Sequence, residues 1–483
     1  MATRSAERER ELFETMHLPR AIATLAVPTV ISQMVTVVYN LADTWFVGLA
    51  ADPGQVAALT LVFPVMLAFS AFGNLFGIGG GSLVSRQLGR RENEAAGRTF
   101  TFTVYAAASC SIALALAVLA LTPTLLASMG ATPETYGYAY DYALWAVVVA
   151  GLPSILNATL CNLVRSQGNP NQASFGIVIG CVLNVALDPV FIVGFGMGVV
   201  GAAVATCLSQ YLGLAYLLFH VVRTRKESLA PVSLRFRLIP RASVADIAKI
   251  GTPATLQVLL ASVSNGVMLS LVAGYATAAV AGLGIMQRIE MVPFALAMGI
   301  SSGVLPLIAY NYAAKNHARM KGAIRISLLL ALGLAVAAFG LLELFAAQSV
   351  RFFLDDAESV AFGATFVQIR IVALPFITIE FLLMSVFQAV GAARQAFVLS
   401  VFRKGTVDLP FMLLMNAVWP LYGLMVVQPV MEICGMAIAL ALYRSMAKEL
   451  PNAEPAETRP DREEVGEAAR PALREGRASA QRA

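Results

Sequence analysis

Asp43 is the one charged side chain in an apolar run that extends from about Ala21 to Leu49. A carboxylate in hydrocarbon costs about 2.5–3.5 kcal/mol on insertion scales, so such a group is normally paired, wetted or functional. Asp188 sits in a second run of the same kind. Four residues before each acid, on the same helix face, stand Tyr39 and Asn184. Counted back from the loops, Asp43 lies roughly 9 Å deep at 1.5 Å per residue. Asp188, Thr206 and Tyr140 fall at similar depth in their own segments. Pro189 removes a backbone donor just after Asp188 and can leave a carbonyl open to a cation. Two carboxylates with amide, hydroxyl and phenol oxygens can exchange protons. The hard oxygens of Asp43, Asn184, Asp188 and Thr206 could equally hold a dehydrated Na⁺. The same groups could instead brace helices, Tyr39 and Tyr140 could be ordinary packing aromatics, and Asp141 could be a rim charge.

The elements that must position these groups are membrane-spanning helices. The chain is 58% hydrophobic and 13% charged, against about a quarter charged for soluble domains. Runs long enough to cross a bilayer recur along it. Twelve spans are expected, at about 21–49, 56–88, 98–121, 135–163, 173–195, 200–222, 247–274, 280–310, 323–347, 358–389, 396–417 and 424–445. The first twenty residues are charged and read as an amphipathic lead-in, not a cleavable signal. Cations gather in the loops after the even-numbered spans (Arg90, Arg91, Arg165, Arg223, Lys226, Lys315, Arg319, Arg394). The other loops carry Arg351 beside Asp355, Asp356 and Glu358. The positive-inside rule then puts both termini in the cytoplasm. The net charge of +5 is spread over short loops and does not suggest a nucleic-acid partner. The five cysteines lack metal or redox spacing and read as packing residues.

The sequence is duplicated. Pro28 and Asn40 match Pro253 and Asn265 at one offset; Gly77-Ile78 parallels Gly299-Ile300; and Gly168, Pro189, Gly201 and Gln210 parallel Gly391, Pro410, Gly423 and Glu432. An even number of spans per repeat makes the halves parallel, about an axis along the membrane normal. The expected organisation is a lead-in (1–20), an N-terminal six-helix lobe (21–222), a cytoplasmic linker (223–246), a C-terminal lobe (247–445) and a disordered tail (446–483). A cleft lies between the lobes.

Tyr39-Asn40-Leu41-Ala42-Asp43-Thr44-Trp45-Phe46-Val47-Gly48, Gly77-Ile78-Gly79-Gly80-Gly81, Arg165-Ser166-Gln167-Gly168-Asn169-Pro170, Asn184-Val185-Ala186-Leu187-Asp188-Pro189, Gly201-Ala202-Ala203-Val204-Ala205-Thr206 and Tyr310-Asn311-Tyr312-Ala313-Ala314-Lys315-Asn316 appear in this order on the duplicated frame. In these features the chain resembles the multidrug and toxic compound extrusion (MATE) family over about residues 18–447. The Asn-x-x-x-Asp-Pro is similar to its DinF-like subgroup. The resemblance implies an all-α membrane fold of two parallel six-helix repeats and a secondary antiporter of the inner membrane. Such a carrier exchanges H⁺ or Na⁺ for amphiphilic, often cationic compounds by alternating access, with no other cofactor. A monomer would suffice, with small drug-like molecules and membrane lipids as its partners.

The repeat supplies a control on the site. The counterparts of Asp43, Asp188 and Asn184 are Met268, about Leu409 and about Gly405, so the acids belong to one half only. Bracing common to both halves would not need that asymmetry. In the second half Glu290 with Arg288, and Glu380 with Arg403, Lys404 and Asp408, could form structural pairs. Glu290, Asp408 and Glu432 could instead draw cations into the cleft. Met66, Phe69, Met291, Phe294 and Met298 are candidate substrate contacts, since Met and Phe repack around varied amphiphiles. Three other readings stay open: a lipid or lipid-linked oligosaccharide flippase of the same superfamily, an integral-membrane enzyme and a sensor. The enzyme reading lacks a nucleophile–base pair or metal cluster, and the sensor reading lacks an output domain.

Overall fold

A computed structural model describes residues 4–50, 53–129, 131–225, 227–233, 235–353, 356–403 and 407–449. Lys226, Asp355, Lys404, Gly405 and nearly all of the tail expected at 446–483 lie outside them. Helices account for almost every described element: α1 (Arg4–Glu14), α2 (Leu18–Ala50), α3 (Pro53–Gly89), α4 (Asn93–Ser128), α5 (Pro133–Ala143), α6 (Gly151–Ser166), α7 (Pro170–Asp188), α8 (Gly198–Thr224), α9 (Arg241–Ala273), α10 (Thr277–Ala313), α11 (His317–Leu344), α12 (Ala346–Arg351), α13 (Ala357–Ile371), α14 (Leu374–Val390), α15 (Ala393–Val401), α16 (Asp408–Val418) and α17 (Tyr422–Glu449). Every backbone group must be satisfied inside a bilayer, and helices do this within one segment.

Among the described residues, ten segments are long and apolar enough to cross a membrane, and α13 with α14 makes an eleventh, bent by 48°. The bend falls just before Pro375, which lacks the donor to carry the helix through. Of the span expected at 396–417, the described residues form α15 and α16, and Arg403 and Asp408, on either side of residues 404–406, are both buried.

The duplication is visible in the backbone. Helices α2 and α9 each have 33 residues, and α3 and α10 each have 37. Gly168 and its counterpart Gly391 both adopt positive φ, 92° and 80°. So do Arg91 and Lys315, at 64° and 60°. Non-glycine residues seldom enter this region, so its recurrence at corresponding positions of the two halves marks a repeated turn.

The halves meet along two equivalent seams, α2 against α10 and α3 against α9. Gly299 and Gly303 of α10 lie against Val30 and Ala26 of α2, and Gly251 of α9 against the Leu75 backbone of α3. The Thr255 hydroxyl donates to the Ala71 carbonyl at 3.0 Å, and Arg86 pairs with Asp246 at 3.6 Å. These contacts fall in the half of the bundle that bears the termini. The largest buried apolar cluster crosses the seam there, joining Leu25, Val84 and Leu163 to Val304, Ile308 and Val386.

Candidate functional site

Four of the residues singled out from the sequence converge where α2, α7 and α8 pack. Asp188 and Asn184 are fully buried one turn apart on α7, and Thr206 is buried on α8. With its NH₂ toward Asp188 Oδ2 at 3.0 Å, Asn184 accepts from the Thr206 hydroxyl and the Thr206 backbone N–H, each at 3.1 Å. Turned over, the amide would donate to the Thr206 hydroxyl at 3.1 Å, but its NH₂ would also face the Thr206 backbone N–H and its carbonyl oxygen would face Asp188. The first arrangement is therefore the one that satisfies all of these groups, with Asp188 as acceptor.

Asp43 faces this trio from α2. Its Oδ1 is buried and has no hydrogen-bond partner among the described residues. It lies within electrostatic reach of Asp188. Tyr39, one turn earlier, interacts with both Asp43 and Thr206. An oxygen of this kind in an apolar setting is costly unless a proton or cation completes it.

The aromatic from α5 is Tyr142, not Tyr140. Tyr142 is buried and within electrostatic reach of both carboxylates, and its hydroxyl contacts Met66 Sδ at 3.8 Å. Tyr140 stacks on Tyr136 with ring centroids 6.3 Å apart, and Asp141 is exposed. Two positions along a helix turn a side chain through about 200°, so Tyr140 and Tyr142 face opposite ways. Just after Tyr142 and Asp188 the helices widen into π turns, at Leu144–Val149 and Pro189–Gly194. Such turns shift the hydrogen-bond ladder by one residue and recur at functional sites; here the second is imposed by Pro189.

The second half has no open acids where the sequence expected them. Glu290 is paired not with Arg288 but with Arg370, which binds it bidentately at 3.0 Å through both Nε and Nη2. Glu432 accepts from Arg403 at 3.1–3.2 Å, and Glu380 lies 3.2 Å from the same guanidinium. Asp408 accepts from Ser264. Glu290, Asp408 and Glu432 are all buried, so they do not line an open cleft. Phe69 is also buried, against Gly151. Met291 and Met298 are exposed on α10, and Phe294 packs edge-on against Phe381.

Repeated helical halves that meet along two seams, with a carboxylate site in one half, define a multi-pass membrane transporter rather than an enzyme. The chain belongs to the MatE family, whose profile matches it twice, at residues 28–190 and 253–414. It is 29% identical over 432 residues to the multidrug export protein MepA of Staphylococcus saprophyticus, covering 89% of this chain and 95% of that one. It is 29% identical over 434 residues to MepA of Staphylococcus aureus strain NCTC 8325, with the same coverage. Its fold superposes on an outward-facing multidrug resistance MATE transporter of the MOP superfamily with a TM-score of 0.86 at 23% identity, covering 93% of this chain and 99% of that one. A MOP superfamily transporter from Pyrococcus furiosus gives a TM-score of 0.85 at 22% identity, covering 93% and 100%.

Proposed function

We propose that the protein is a multidrug efflux antiporter of the inner membrane, with both termini cytoplasmic, that exchanges H⁺ or Na⁺ for amphiphilic, often cationic compounds. The observation that carries this reading is Asp43 Oδ1, buried and without a hydrogen-bond partner among the described residues, opposite a buried Asp188 that Asn184 holds. The placement of the seam contacts supports a cleft closed toward the cytoplasm and open outward. In that state Asp43 and Asp188 take up the coupling ion from outside. Neutralising them alters how α2 packs on α7 and weakens the hold on substrate, and release inward resets the carrier. Proton carriage needs only the two carboxylates; Na⁺ would draw on the oxygens of Asp43, Asn184, Asp188 and Thr206. Met66, beside Tyr142, with Met291 and Met298 on α10, offers apolar contact to substrate. The Asn-x-x-x-Asp-Pro of α7 favours the DinF-like subgroup, in which coupling belongs to the N-terminal lobe.

The test is efflux from proteoliposomes under separately imposed pH and Na⁺ gradients, with Asp43→Asn and Asp188→Asn beside the native protein. Loss of gradient-driven efflux in both variants is expected, and the gradient that drives the native protein identifies the ion. Near-normal efflux from both variants would remove the site assignment.

A further inference from the structure

The sequence offsets that align the halves give each group of the coupling site a counterpart. Met268 stands for Asp43, and the offset that carries Gly201 to Gly423 and Gln210 to Glu432 carries Thr206 to Gln428. In the structure these two counterparts converge on one group. Arg370 Nη1 lies 3.3 Å from Met268 Sδ, and Arg370 Nη2 donates to Gln428 Oε1. The same guanidinium holds Glu290 in a two-pronged contact. All four residues are buried.

We propose that Arg370 is a tethered cation seated in the second half's version of the exchange site, and that it confines ion coupling to the first half by keeping Glu290 permanently paired. The inference rests on the proposed coupling role of Asp43 and Asp188. A guanidinium is never deprotonated in proteins, and its rigid fork matches a carboxylate. Glu290 therefore has its counter-charge built in, whereas Asp43 must find one from outside. Gln428 supplies an acceptor for a remaining guanidinium N–H, and the soft Met268 sulfur replaces a carboxylate that would otherwise compete with Glu290 for Arg370. The other buried acids of this half do not compete with Glu290 for Arg370: Glu380 and Glu432 contact Arg403, Asp408 accepts from Ser264, and Glu432 lies one turn beyond Gln428 on α17. Arg370 is thus a positioning residue that sets which half exchanges ions.

Acid-induced infrared difference spectra of the purified full chain, in Na⁺-free buffer, read carboxyl protonation directly and require no transport. The native protein should show carboxyl bands that Asp43→Asn and Asp188→Asn remove and that Glu290→Gln leaves unchanged. Arg370→Met should add a carboxyl band, which Arg370→Met with Glu290→Gln should abolish. The double variant leaves a neutral pair and keeps the test open if Arg370→Met alone fails to fold: its bands should equal the native ones. A native band lost on Glu290→Gln, or in the double variant, would overturn the proposal, as would an Arg370→Met protein that folds without gaining a band. Bands insensitive to Asp43→Asn and Asp188→Asn would count against the first-half site alone, so the two failures are distinguishable.

Discussion

The Phe13 ring lies flat on Tyr310, with centroids 4.8 Å apart and planes 10° from parallel. This contact ties α1 to the end of α10, and polar contacts extend it to both halves. On the side of the first half, Glu9 accepts from Asn169 Nδ2 and from the Leu229 backbone N–H of the linker that follows it, each at 2.8 Å. On the second, Arg319 donates to the carbonyls of Phe13 at 2.8 Å and Met16 at 2.6 Å, while Tyr310 donates to Glu14 at 2.6 Å. Helix α1 is therefore a strap across the terminus-bearing end. A buried Phe→Ala change costs about 3–5 kcal/mol, more than a short exposed helix can supply by itself. Phe13→Ala should release α1, seen as faster tryptic cleavage after Arg8 and Arg10 by mass spectrometry. Cleavage at the native rate would show that the polar contacts alone hold the strap.

Tyr142 and Tyr140 make a matched pair for testing the aromatic side of the site. Losing the Tyr142 hydroxyl removes one polar contact near two carboxylates, about 0.5–1.5 kcal/mol. Tyr142→Phe should thus lower gradient-driven efflux roughly two- to tenfold. Tyr140→Phe keeps its stack on Tyr136 and should leave efflux at the native level. Equal effects from the two substitutions would remove Tyr142 from the site.

These residues also show what a sequence can and cannot reveal. Asp43, Asp188, Asn184 and Thr206 were legible because polar groups are costly in apolar helices and their depths can be counted from the loops. The repeat was legible because glycine and proline positions record backbone geometry, and Gly168 with Gly391 bears this out in a shared positive φ. Tyr142 was missed because depth does not give azimuth, and in the Tyr-rich stretch 136–142 neighbouring candidates differ only in the direction they face. Arg370 went unremarked because a lone cation in a span has no partner in its own segment. Its partners Glu290 and Gln428 come from helices 80 and 58 residues away in sequence.

The seam glycines set how closely the halves approach. A Cβ on Gly303 would stand 2.9 Å from Ala26 Cα and 3.0 Å from the Leu25 carbonyl oxygen, both backbone atoms that cannot rotate away. Overpacking of this kind costs about 1–3 kcal/mol. The cost applies only while the seam is closed, so Gly303→Ala should favour the state in which the halves separate here. Spin-label distances across the seam should lengthen, with slower efflux. Gly333, on α11, has nothing within 4 Å of an added Cβ, and Gly333→Ala should leave the distances unchanged. A native distance distribution in Gly303→Ala would show that this contact does not limit approach.

Arg403 holds the second half together by a different balance. It is 3% exposed, contacts Glu432 and Glu380 at 3.1 and 3.2 Å, and lies 4.6 Å from the centre of the Phe381 ring. One guanidinium, two residues past the end of α15, thus serves two carboxylates on α14 and α17. Removing one member of a buried pair costs about 3–5 kcal/mol because the remaining charge is left uncompensated. Arg403→Met should lower the thermal midpoint in detergent and broaden the size-exclusion peak. Arg403→Lys should recover only part of the loss, since an ammonium is a point charge without the planar fork that meets two carboxylates. Adding Glu432→Gln to Arg403→Met should restore stability in part, because it removes one of the two stranded charges while Glu380 still lacks its contact. Full native stability in Arg403→Met would mean that other groups neutralise Glu380 and Glu432, and the triad would not be what joins α14 to α17.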